Sequence, residues 1–327
     1  MSTSKFLAVG LASALAAFSL VGCGESRHDV EETYYFVASN VKVPYWQAAR
    51  SGFEAAGGLL QVKYEMVGPD SYDPQAQREE FRRILSQRKP TGILVSAADP
   101  EIMRAEIDQA IDRGIPVITI DSDAPRSKRL LFIGTDNYDA GRMGAQVAVK
   151  RMGGKGNVVI FTMPEQANLK ERLQGYQEIF DTHSGIKIIE TVDIKGDPRI
   201  AFDRMMELTE KGKVSADAFI CLEALACPEV ADVLSRNKVE GKTVVAMDTD
   251  PRTLEWIQKG MIAATIAQKP YTMAYFGLRV LDNLHHYKLP ALGANLAQDT
   301  RAPLPSFVDT GATLIDQNNV AEFMKTQ

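Results

Sequence analysis

Short runs of β-branched and aromatic residues alternate along this chain with longer stretches whose apolar positions recur at helical spacing. Tyr34–Ser39 reads as a strand and Tyr45–Ala56 as a helix with small and apolar residues on one face. Val62–Val67 is the next strand, followed by a charged amphipathic helix over Pro74–Gln87, a strand at Gly92–Ser96, a helix at Pro100–Arg113 and a strand at Val117–Ile120. Gly114 and Pro116 stand where a helix should stop. Leu130–Ile133 is a further strand, and after Gly134-Thr135-Asp136-Asn137 the alternation restarts. It runs through a helix to Met152, strand Asn157–Phe161, helix Leu169–Thr182, strand Lys187–Asp193, helix Ile200–Glu210, strand Ala218–Leu222 and helix Glu229–Arg236. Strand Thr243–Met247, helix Thr253–Lys259, strand Ile262–Ala267 and the long helix Tyr271–His286 complete it. An irregular, Pro-rich tail ends in a strand-like Phe307–Asp309 and a helix over Asn319–Lys325.

Alternating strands and helices predict parallel sheets covered on both faces. The expected fold is α/β, with two doubly wound parallel-sheet lobes joined by a multi-strand hinge. The helix after Ala267 has no strand left to cover in the second lobe, so it is expected to return to the first. The boundaries drawn are residues 33–134 with 269–306 for the first lobe, and 135–268 with 307–327 for the second.

Two strands end alike. Val117–Ile120 runs into Asp121-Ser122-Asp123 and then Pro125; Thr243–Met247 runs into Asp248-Thr249-Asp250 and Pro251. Ligands of open α/β sheets bind at the carboxyl ends of the strands, so each lobe is expected to offer an acid to a shared cleft. Asp121 and Asp248 are read as facing it, and Asp123 and Asp250 as helix caps. One Asp-x-Asp copy per lobe argues against a single catalytic metal site. Pro44-Tyr45-Trp46, at the start of the first helix, places two aromatics beside the strand ends. Arg172 lies early in a helix that begins at the same face, and its fork of donors suits hydroxyls or an aspartate. Gly153-Gly154-Lys155-Gly156 precedes a strand, whereas a phosphate-binding loop follows one and opens a helix, so it reads as a turn. His183, His285 and His286 form no nucleophile or metal pattern, and the last two read as favourable charges at a helix end.

The amino terminus departs from the alternation. Lys5 is followed by an apolar stretch, Phe6–Leu20, which is shorter than the roughly 20 residues a membrane span needs. It reads as an export signal over residues 1–22, and Leu20-Val21-Gly22-Cys23 resembles a bacterial lipobox with Cys23 as the lipid-attachment residue. Residues 23–32 then read as a polar tether. Export would place Cys221 and Cys227 in an oxidising compartment, where a disulfide and a pair of buried thiols are both open readings. The 327 residues are 45% hydrophobic and 24% charged, with a formal net charge of −5. That balance excludes a basic nucleic-acid footprint.

Together, three segments resemble the ribose/galactose-binding type of periplasmic sugar-binding protein. They are Gly260–Pro270, Gly114–Asp121, and Gly134-Thr135-Asp136-Asn137 with Ala140-Gly141. The resemblance covers roughly Tyr34 to Phe307. It implies the type I periplasmic binding protein fold, the fold shared with LacI-type repressors. It also implies ring-stacking roles for Tyr45 and Trp46, hydroxyl-binding roles for Asp121, Arg172 and Asp248, and a hinge-side amide at Gln268. Ser122 and Glu223 stand where ribose binders carry Arg and Asn-Asp, and no aromatic stands near Gly196-Asp197 for a further stacking position. These departures speak against ribose itself. Val67-Gly68-Pro69, Val95-Ser96-Ala97 and Asp-Ser-Asp also resemble a rhamnose and autoinducer-2 branch, which adds Asn40 and Gln166 to the expected pocket, although the lysine that autoinducer binders use near Ser39 or Asn40 is absent.

The implied protein is a monomeric, extracytoplasmic lipoprotein that takes a small neutral sugar or polyol, without cofactor or metal, and delivers it to the permease of an ABC importer. It would meet the membrane only through its lipid. A sensor-feeding binding protein and an exported sugar-processing enzyme are the alternatives. A repressor would need a DNA-binding element where the signal stands.

Overall fold

The computed structural model describes residues 28–29, 31–210, 215–287 and 301–325. The expected leader and Cys23 lie outside them. Among the described residues no helix is long and apolar enough to cross a membrane.

The first sheet is built from β1 (Thr33–Val37), β2 (Lys63–Val67), β3 (Gly92–Val95), β4 (Val117–Ile120) and β5 (Leu131–Gly134). The helices between them are α1 (Pro44–Leu60), α2 (Pro74–Gln87) and α3 (Pro100–Asp112). The second sheet repeats the plan with β6 (Lys155–Thr162), β7 (Gly185–Asp193), β8 (Ala218–Cys221), β9 (Thr243–Met247) and β10 (Ala264–Ala267). Its helices are α4 (Asn137–Met152), α5 (Ala167–Asp181), α6 (Pro198–Glu210), α7 (Ala226–Arg236) and α8 (Pro251–Gln258). Helix α9 (Pro270–His286) follows β10 and packs on α1 and on β3 and β4. It thus completes the first lobe, as the pattern predicted.

Two edge strands close the architecture. β11 (Phe307–Asp309) pairs parallel to β5, and β12 (Thr313–Asp316) pairs antiparallel to β10. The strand orders are β11-β5-β4-β3-β1-β2 and β12-β10-β9-β8-β6-β7. Each order reverses between its first and third strands, the switch point where open α/β sheets bind ligands. Phe307–Asp309 therefore belongs to the first sheet, not to the second lobe as expected, and the last crossing falls after Asp309. Phe307 stacks on Phe132 of β5 with ring centroids 5.2 Å apart, which fixes that edge. The terminal helix is reduced to α10 (Val320–Phe323).

β3, β4, β8, β9 and β10 are buried throughout, as strands covered on both faces must be. Two separate apolar cores result, one per lobe. In each lobe a helix pair meets closely at glycine: a Cβ on Gly52 of α1 would strike the backbone of Tyr271 in α9, and one on Gly141 of α4 would strike that of Arg172 in α5. Cys221, ending β8, is joined to Cys227 of α7 by a disulfide, with Cα atoms 5.7 Å apart.

The end of the expected tether is not a tether. Glu32 is buried, and His28 hydrogen-bonds Asp282 of α9 at 2.9 Å.

Candidate functional site

A cavity of about 550 Å³ of atom-free space, part of it opening to solvent, lies between the lobes at the carboxyl ends of the strands. That is the size class of a small-molecule site. The first lobe lines it with Ser39 and Asn40 after β1, Tyr45 and Trp46 of α1, Tyr72 before α2, and Asp121 after β4. The second contributes Gln166, Asn168 and Arg172 around α5, Glu223 after β8, Asp248 after β9 and Gln268 after β10.

Asp121 and Asp248 both adopt left-handed backbone conformations, with φ of 61° and 66°. Aspartate is one of the few side chains that tolerates this region. The turn throws each carboxylate off the strand end and into the cavity, where both are almost completely buried. Asp121 accepts hydrogen bonds from the Tyr45 hydroxyl at 2.6 Å and the Ser96 hydroxyl at 3.1 Å. Asp248 accepts one from the Gln268 amide at 2.9 Å, and its backbone carbonyl accepts one from Thr265 at 2.7 Å. Arg172 is held from behind: its Nε donates to Asn137 at 2.9 Å and one Nη to the Leu222 carbonyl at 2.7 Å.

Burial raises the acids' pKa values. Asp248 is pushed up to about 6 by loss of water, opposed mainly by the Arg172 charge and the Gln268 amide. Asp121 is raised by burial and pulled back by Tyr45 and Arg172. Glu223 is pushed up to about 7 by burial, against the pull of the backbone N–H groups of Leu225 and Ala226 that its carboxylate accepts. Two polar atoms of the lining residues are buried without a partner: the second Nη of Arg172 and Oε1 of Gln268. Buried polar groups are nearly always paired, so each such atom calls for an explanation.

Every side chain expected from the sequence lines the cavity except Ser122. The left-handed turn at Asp121 sends the following side chain away from the cleft, and Ser122 is buried elsewhere. Asn40 is partly committed to its own loop, its Oδ1 accepting from the N–H groups of Lys42 and Val43. Asp250 caps α8 as expected, accepting from Arg252 N–H. Asp123 does not cap a helix; it forms a two-pronged pair with Arg129, both contacts at 2.6 Å, and accepts from Thr119. Arg129 in turn donates to the Ser306 carbonyl just before β11, so Asp123 helps fix that edge strand.

Sequence reasoning missed Tyr72. No aromatic stands at Gly196, but a Cβ there would strike Tyr72, which reaches across from the first lobe and packs on the second lobe's core. Its hydroxyl donates to the Ala98 carbonyl at 2.8 Å. The only signal in the sequence is the glycine itself.

The profile of the periplasmic binding protein domain matches residues 34–288. A sugar-binding protein of a sugar ABC transporter from Bacillus halodurans is 32% identical, covers 89% of this chain and 99% of its own, and superposes with a TM-score of 0.75. AraP, an arabinose-binding protein from Geobacillus stearothermophilus, is 30% identical over 90% of this chain and 99% of its own, with a TM-score of 0.72. The D-allose-binding periplasmic protein of Escherichia coli is 24% identical over 76% of this chain and 83% of its own. Fold, site and sequence agree: the chain belongs to the periplasmic binding protein family.

Proposed function

We propose that this chain is the extracytoplasmic substrate-binding component of an ABC importer and holds one monosaccharide or similar small neutral polyol between its lobes. The observation that carries the reading is the pair of unpartnered atoms at the cavity, a donor on Arg172 and an acceptor on Gln268. A hydroxyl group satisfies both kinds at once, donating through its hydrogen and accepting through its oxygen. Asp121 and Asp248 accept further hydroxyl protons, and Tyr45 and Trp46 offer rings to the C–H face of a sugar. A micromolar Kd needs about 8 kcal/mol, and a hydrogen bond to a charged group nets about 1.5–3 kcal/mol. Three or four such bonds with stacking reach that sum only if both lobes contribute, so ligand favours the closed arrangement. That arrangement is what a permease can read.

The named relatives bind or transport sugars, arabinose and allose among them, which supports the sugar class for this chain. Export and lipid attachment at Cys23 belong to the same reading, on the strength of the lipobox-like segment. A thermal-shift screen against pentoses, hexoses, deoxy sugars and inositols tests the function. A bound sugar raises Tm by several degrees, because it stabilises only the native state. No shift with any member overturns the reading, and chemical conversion of a binding sugar would reassign the site to an enzyme.

A further inference from the structure

Far from the cleft, at the amino-terminal end of β1, four side chains converge. Asp282 and His286 lie one turn apart on α9, Glu32 immediately precedes β1, and His28 reaches back from the segment before it. One ligand-capable atom of each falls within 4.8 Å of all the others. His28 Nε2 is 2.9 Å from Asp282 Oδ1, His286 Nε2 is 3.3 Å from Glu32 Oε2, and His286 Nε2 is 3.5 Å from Asp282 Oδ1. Donors about 2.0–2.1 Å from a tetrahedral Zn²⁺ stand about 3.3 Å from one another, so these three separations lie close to the edges of such a shell, and the others need only small side-chain shifts from within 4.8 Å.

The pairing inside the cluster is incomplete. Glu32 Oε1 accepts from the Asp29 N–H at 2.7 Å, whereas Oε2 has no hydrogen-bond partner, and neither has His286 Nε2 opposite it. Glu32 is only 5% exposed, so its second oxygen is a buried acceptor aimed into the centre of the group. Behind the acids, the Tyr34 hydroxyl reaches Asp282 Oδ1 at 3.5 Å, an outer contact of the kind that orients a ligating carboxylate.

We propose that His28, Glu32, Asp282 and His286 form a binding site for a single divalent transition cation, with Zn²⁺ the best match to two imidazoles and two carboxylates. Imidazole donors disfavour Ca²⁺ and Mg²⁺, which take oxygen shells. The cation would staple the segment before β1 to the end of α9, at the pole of the first lobe opposite the ligand cleft. It would fix the direction in which the preceding chain leaves the lobe. The spacing of these residues, two before the first strand and two on the last long helix, hides the site from any local motif.

The test uses the purified full chain, stripped with a chelator and titrated with Zn²⁺ by calorimetry, with Co²⁺ as a spectroscopic probe of four-coordinate geometry. The expected result is saturable binding of one ion per chain, a Tm rise of several degrees, and at least a tenfold weaker Kd in both His28→Gln and His286→Gln. His28 stands before β1, outside both sheets and their helices, so His28→Gln is expected to leave the metal-free circular dichroism unchanged and remains readable should His286→Gln misfold. Absence of saturable binding overturns the proposal. So does His28→Gln binding within tenfold of the parent, since that assigns the ion to other surface histidines.

Discussion

The two jaws of the cleft carry the same acid on the same left-handed turn, yet they hold it differently. Asp121 is gripped by two hydroxyls from its own lobe, Tyr45 and Ser96. Asp248 is held by Gln268, through both its side-chain amide and its backbone N–H, and the Gln268 side-chain oxygen is left unpartnered. The first jaw is therefore assembled before ligand arrives. The second keeps part of its hydrogen-bonding capacity in reserve, in the unpartnered Gln268 oxygen, and burial pushes its acid up to about 6. Equivalent positions in repeated lobes share a backbone solution without sharing a state of readiness.

The largest break in this comparison comes from the charge both jaws use. Arg172 lowers the pKa of each acid, so Arg172→Met should weaken sugar binding by at least a hundredfold in calorimetry, a loss of about 3 kcal/mol or more for a buried pair. Next come the acids themselves. Asp248→Asn should cost ten- to a hundredfold in affinity while raising the Tm of the ligand-free protein at pH 7.5, because it removes a buried charge. Asp121→Asn should cost similar affinity with a smaller gain, since it also disturbs the hydrogen bonds that Tyr45 and Ser96 donate to the charge. Equal Tm responses would erase the distinction between the jaws.

Acidity sharpens the comparison further. A raised carboxyl pKa means the folded chain binds more protons than the unfolded one, so Asp248's contribution to stability is present at low pH and is lost as pH rises through about 6. Sugar hydroxyls favour the ionised acid. Affinity should therefore fall as pH drops below about 6, by up to about tenfold per unit, and Asp248→Asn should remove that component while leaving any contribution from Glu223 near 7. Tyr45→Phe is a smaller change: it loses one support of Asp121 and should cost three- to tenfold in Kd. Ser122→Ala should change Kd by less than threefold, because Ser122 does not line the cavity. A larger effect would restore it to the site.

Most of the fold was legible because strands buried on both faces leave unmistakable runs such as Val117–Ile120 and Thr243–Met247, and because glycine and proline punctuate them. The repeated Asp-x-Asp exposed the two jaws, since carboxylates at strand ends carry a positional meaning. The illegible parts depend on partners distant in sequence. Tyr72 fills the space over Gly196 from the other lobe. Asp123 found Arg129 and, through it, the chain before β11. β12 was missed because its half-buried edge position leaves a pattern too weak to separate from a loop. His286 looked like a charge at a helix end until the segment before β1 was seen to fold onto it.

The return of α9 to the first lobe has a consequence for how this chain is made. The helix that covers α1, β3 and β4 is translated only after every strand of the second sheet but β12, and the edge strand β11 later still. A ribosome thus releases a long polypeptide before the first lobe can close its core, and pairing segments so distant in sequence is intrinsically slow. The first lobe therefore cannot complete its core until most of the chain has been made, a delay that would suit a chain exported before it folds.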